Sequence, residues 1–203
     1  MVLFILNREK TTIPLKVILF YIVYSFINDI ALKAVFRNEQ LVEVLLRIFT
    51  VVEYSLFSLF FYLVVKSAII KKVIIGLSFV FFAITFYNYY NNPRASFDSI
   101  PVSVESILII IYCLYYFYER ISEPQVTFIY SSYHFWVIIG ILIYLSGAFF
   151  LFTQADNLSN QDKSNYWIIV YMTNILKNIF FSVAFYIKKN PTKNPLRKNP
   201  TIS

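Results

Sequence analysis

Residues 166–189 read YWIIVYMTNILKNIFFSVAFYIKK. The run is long and apolar enough to cross a bilayer, yet Asn174, Lys177 and Asn178 sit in its middle. Bilayer hydrocarbon is about 30 Å thick and a helix rises about 1.5 Å per residue, so roughly 20 mostly apolar residues make one crossing. A lysine at the centre of such a helix costs roughly 2.5–3.5 kcal/mol on insertion scales. The stretch is therefore a membrane helix whose charge calls for a neighbour.

The whole chain has the same character. Its 203 residues are 59% hydrophobic, 20% aromatic and only 14% charged, with 3 glycines. A soluble domain carries about 25% charged and 45–50% apolar residues. Six stretches qualify as crossings, at about 14–35, 41–65, 73–90, 101–118, 134–152 and 166–187. They are continuously apolar and lack the alternation of barrel strands. The expected fold is all-α: a polytopic transmembrane helical bundle of about six spans over residues 1–187, followed by a basic, Asn-Pro-rich tail over 188–203. The opening MVLFIL is shorter than the apolar core of a secretory signal, so the mature chain is expected to begin there.

Lys and Arg favour the cytoplasmic side of short loops. Twelve fall on one side: Arg8, Lys10, Lys16, Lys66, Lys71, Lys72, Arg120 and the tail's Lys188, Lys189, Lys193, Arg197 and Lys198. Four (Lys33, Arg37, Arg94 and Lys163) fall on the other. Both termini are thus expected in the cytoplasm, with the protein in the inner membrane. Ser99 and Pro101 fit the cap and first turn of the fourth helix. The tail repeats Lys-Asn-Pro three times, which keeps it extended. Its charges suit either a lipid-facing anchor or a docking peptide for a partner.

Ionisable residues within the spans are Asp29, Glu43, Arg47, Glu53, Glu105 and Lys177. Counting rise along each helix places Lys177 about 16 Å and Glu53 about 12 Å below the outer boundary, and Arg47 and Glu105 within about 6 Å of it. One polar cluster in the outer half is expected, with Glu53–Lys177 and Glu105–Arg47 as pairs. Asn174 and Asn178 would complete the hydrogen bonds of Lys177. Such a cluster serves as a structural staple, as an ion relay or ligand pocket, or as a partner surface; the residues leave all three open. On the fifth span Gly140, Tyr144 and Gly147 share a face where another helix can approach closely, within the chain or in a dimer.

Familiar catalytic patterns do not occur. One histidine (His134) and one cysteine (Cys113) cannot assemble a zinc site, and no nucleotide, hydrolase or metalloprotease motif is present. The residues before His134 are FIYSSY, without the arginine that ribonuclease chemistry would want. No enzyme and no cofactor is expected.

Four segments carry a resemblance: Glu105 one turn into its span, F-W-x-x-x-G-I-L-I-Y-x-S-G from Phe135 to Gly147, N-I-x-x-N-I-x-F from Asn174 to Phe181, and E-x-x-x-x-S-L-F-x-Y from Glu53 to Tyr62. Together they resemble a family of small, uncharacterised multi-pass bacterial membrane proteins. More narrowly, the span-rich composition and basic tail are similar to the membrane accessory proteins of type VI-B CRISPR systems. That resemblance implies a non-enzymatic regulator of an RNA-targeting effector in antiviral defence. The partners it implies are the bilayer and a cytoplasmic effector protein, not nucleic acid directly. The alternative is a small transporter, channel or membrane ligand sensor built on the polar cluster. The orientation has a direct check: single cysteines at Asn92 and Asn160 should react with an impermeant thiol reagent from outside intact cells, and labelling only after lysis would reverse the topology.

Overall fold

The computed structural model describes residues 12–91, 99–122, 129–154 and 160–189, with backbone alone for 151–154, 160–167 and 188–189. They form six helices, α1 (Ile13–Val35), α2 (Glu39–Val64), α3 (Ala68–Asn91), α4 (Ser99–Ile121), α5 (Tyr133–Gln154) and α6 (Asn160–Lys189), and a short 3-10 turn at Ile129–Ser131. No strand occurs among the described residues. All six helices are long and apolar enough to cross a membrane. Large side chains such as Phe79, Phe86, Ile175 and Ile179 point outward, as lipid permits and water would penalise. The chain is an all-α, multi-pass membrane bundle.

Helix ends follow local chemistry. Asn38 accepts from the N–H of Leu41 at 3.3 Å and opens α2; Pro14 occupies the first turn of α1. Between α2 and α3 lie only Val65, Lys66 and Ser67. The Glu119 carboxylate reaches across from α4 and accepts from the backbone N–H groups of Lys66 and Ser67, at 3.1 and 3.0 Å. Those acceptors let α3 start at Ala68, ahead of its apolar run, so Lys71 and Lys72 fall inside the helix. Long lysine stems can lie along the apolar surface while their charged ends stay at the boundary. Helix α6 likewise begins at Asn160, within the polar stretch expected to be loop. Ser99 does not act as a cap: its buried hydroxyl has no hydrogen-bond partner among the described residues.

Packing is uneven. Helices α5 and α6 lie against each other along the two glycines. A Cβ on Gly140 would meet the Lys177 carbonyl oxygen and Phe180 Cβ, each at 3.2 Å, and one on Gly147 would meet Thr173 Cγ2 at 2.7 Å. The glycine face thus serves contact within the chain. The start of α1 is tied to the start of α5 by Thr12 Oγ1 and the Tyr133 hydroxyl, 2.6 Å apart. Helix α3 buries a single stripe of Ile74, Phe81, Thr85 and Asn88. Only 17% of its apolar window is buried, against 44% for α5.

This geometry separates two glycines of like composition. Gly147→Ala should lose about 1–3 kcal/mol by overpacking. Gly76→Ala, where the added carbon meets nothing within 4 Å, should hold or slightly raise stability. Thermal unfolding in detergent reads both, and equal effects would contradict the close approach of α6.

Candidate functional site

The centre of the bundle holds a charge that its sequence makes conspicuous. Lys177, near the middle of α6, is only 2% exposed. Its ammonium donates to the Tyr21 hydroxyl on α1 at 2.6 Å. That hydroxyl in turn donates to Glu53 Oε1 on α2, also at 2.6 Å. Glu53 and Tyr21 are 4% and 1% exposed, so the whole chain of contacts is out of solvent. A phenol suits this place because one hydroxyl both accepts from an ammonium and donates to a carboxylate. Hydrogen bonds with an ionised partner are short and roughly twice as strong as neutral ones.

Aromatic groups enclose the chain. The Lys177 ammonium sits 3.6 Å from the centroid of the Tyr144 ring on α5 and 4.9 Å from that of Tyr21. Such faces attract a cation, more strongly when it is desolvated. The Tyr144 hydroxyl also points to Glu53 Oε2, at 3.4 Å. Phe57 packs on Tyr21 with centroids 4.6 Å apart, and Phe181 meets its edge at 6.3 Å. Gly140 makes the arrangement possible: it lets the Lys177 backbone come close, and Tyr144, one turn further along α5, then lies under the ammonium.

The predicted residues divide. Lys177 and Glu53 are brought together, but through Tyr21 and not as a direct ion pair. Glu105 on α4 is 1% exposed, within electrostatic reach of both, and its Oε1 has no hydrogen-bond partner among the described residues. Its expected pairing with Arg47 does not occur among the described contacts, and the Arg47 guanidinium lies over the Tyr89 ring at 4.8 Å. Asn174 does not complete the lysine's bonds; its Oδ1 is buried without a partner among the described residues. Asn178 is exposed, because a neighbour of Lys177 in sequence points about 100° away around the helix. Asp29 is exposed but within electrostatic reach of Lys177 and Tyr144, and Glu43 is half-buried. The cluster therefore sits at mid-height, where Tyr21, Glu53, Tyr144 and Lys177 all lie near the middle of their helices. Of the basic residues assigned to lipid or partner contact, Lys188 and Lys189 end α6, while Lys193, Arg197 and Lys198 lie outside the described residues.

Sequence reasoning missed Tyr21. A second polar group escaped it too: the Tyr54 hydroxyl contacts Ser78 Oγ at 3.1 Å, and Ser58 Oγ contacts the same atom at 3.1 Å. No grouping of three or more metal-ligating side chains occurs among the described residues. His134 meets Ser132 Oγ through Nδ1 at 3.1 Å, and Tyr133 lies against its ring at 3.9 Å.

What the fold and the cluster define is a class: a multi-pass helical membrane protein locked by an ammonium–phenol–carboxylate chain. Comparison with protein-family models, curated proteins and solved structures finds no match to this chain.

Removing one end of a buried charged pair costs about 3–5 kcal/mol, because the other end is stranded. Lys177→Met and Glu53→Gln should each destabilise the bundle on that scale, and the double variant should lose less than their sum. Tyr21→Phe should weaken that coupling without abolishing it, because the two charges still attract each other across the low-dielectric interior. Coupling that was unchanged in Tyr21→Phe in detergent unfolding would show that the hydroxyl does not link the two charges.

Proposed function

We propose that this chain is a non-enzymatic regulatory protein of the inner membrane, with both termini in the cytoplasm, that works through contact with a cytoplasmic partner. The observation that carries this reading is the inward closure of the cluster. Lys177, Tyr21 and Glu53 satisfy one another at 1–4% exposure, so their charges are spent on holding helices together. The working surfaces are then the lipid-facing flanks and the basic end of α6. The class of partner rests on the resemblance drawn from the sequence: an RNA-targeting effector of a type VI-B CRISPR system, acting in antiviral defence. The contact element is the basic stretch from Lys188 onward.

A second reading is favoured by one feature. Glu105 Oε1 is buried without a partner beside the cluster, which suits a transporter, channel or ligand sensor that uses this carboxylate. The two readings separate in one experiment. Phage challenge of cells carrying such an RNA-guided nuclease should give different plaque counts with and without this protein. Deleting residues 190–203 should erase the difference while membrane insertion persists, and Glu105→Gln should preserve it. The opposite pattern supports the second reading, and no effect of the intact chain overturns the first.

A further inference from the structure

Helices α2 and α3 leave between them a cleft of about 400 Å³ whose rim residues are exposed on the lipid-facing flank of the bundle. Small residues create it. Ser55, Ser58 and Ser78 line the depression where neighbouring positions carry Phe, Leu or Tyr. Their hydroxyls are satisfied without any occupant: Ser55 donates to the Val51 carbonyl at 2.6 Å and Ser78 to that of Ile74 at 2.8 Å. The outer walls are apolar and exposed, formed by Leu59, Tyr62, Ile75 and Phe79.

One end of this cleft is charged. Lys71 lies one turn before Ile74 and Ile75, and its ammonium stands 5.4 Å from the ring centroid of Tyr62, itself a wall residue. Lys72 follows it, exposed, in the first turns of α3. The nearby Glu119 carboxylate is occupied by the N–H groups of Lys66 and Ser67. An apolar trough of ligand-pocket size, capped by cations at the membrane boundary, matches an amphiphile with one anionic end.

We propose that the α2–α3 cleft is a binding site for one anionic phospholipid of the surrounding bilayer. An acyl chain lies between Tyr62 and Phe79 over the three serines, and the phosphate sits at Lys71 and Lys72. Ordinary boundary lipid would show neither saturation nor headgroup preference; this site shows both.

The test uses the full-length protein in phosphatidylcholine vesicles with rising phosphatidylglycerol content, carrying a trace of phosphatidylglycerol with a photoactivatable acyl chain. Adducts mapped by mass spectrometry should fall on residues 54–62 and 74–82, saturate, and weaken with salt. Lys71→Gln should raise the half-saturating phosphatidylglycerol fraction about fivefold, the worth of one lysine beside anionic lipid. Ser55→Phe, which fills the trough and removes only a bond to its own helix, should abolish the adducts while the unfolding temperature holds. Labelling that never saturates and is unchanged in Lys71→Gln overturns the site, as does crosslinking of this face to a second copy of the chain.

Discussion

An ammonium group at mid-height in a lipid-embedded bundle has no water to turn to, and this constraint organises everything packed around Lys177. Its proton must go to an acceptor, and its charge must be balanced nearby. The Tyr21 hydroxyl accepts, and Glu53 beyond it balances. For α6 to bring Lys177 that close to the centre, the facing helix must be thin, which Gly140 provides. Tyr144, on the same side of α5, then offers its ring to the cation. Four helices are fixed relative to one another by one side chain's requirement.

In lipid this matters more than it would in water. Apolar side chains gain little by leaving hydrocarbon for a helix interface, so association depends on close packing and polar contacts. The charged chain supplies the stronger kind to α1, α2, α5 and α6. Along its length helix α3 receives the weaker kind: hydroxyl contacts from Tyr54 and Ser58 to Ser78 and the stacked rings of Tyr54 and Phe81 at 3.8 Å. Neutral hydrogen bonds contribute about 0.5–1.5 kcal/mol each, less than those to ionised groups. The helix held by these weaker contacts is one of the two that line the cleft.

How much of this the sequence declared depends on the kind of signal. Crossings are written in run length, so six appear where expected, with α3 and α6 extended only where polar residues can be solvated or capped at the ends. A charge in an apolar run announces itself, and counting rise from the boundary brought Glu53 to within about 4 Å of the depth of Lys177. Tyr21 carries no such mark, being one of 17 tyrosines, most with an ordinary apolar or interfacial reading. Rotation of each helix about its axis is the other hidden quantity. Depth alone made Arg47 and Glu105 candidates for pairing, yet Arg47 faces Tyr89. Asn178 turns outward although Lys177 beside it turns inward. Period and depth are local properties, whereas phase is set by packing.

The continuity of α6 joins the two parts of the functional argument. The same helix that carries Lys177 into the cluster ends in Lys188 and Lys189, where the proposed contact element begins. A helix transmits displacement as a rigid body over such a length, while packed contacts are bistable and resist gradual deformation. The lysine–phenol–carboxylate chain is of that discrete sort, since a bond of 2.6 Å is either made or broken. A partner that held the basic end of α6 would therefore act on the lock itself. The flat steps of Gly140 and Gly147, over which α6 lies, are where such movement would first be opposed. That coupling needs no cavity and no catalytic group, only a helix whose two ends answer to different neighbours.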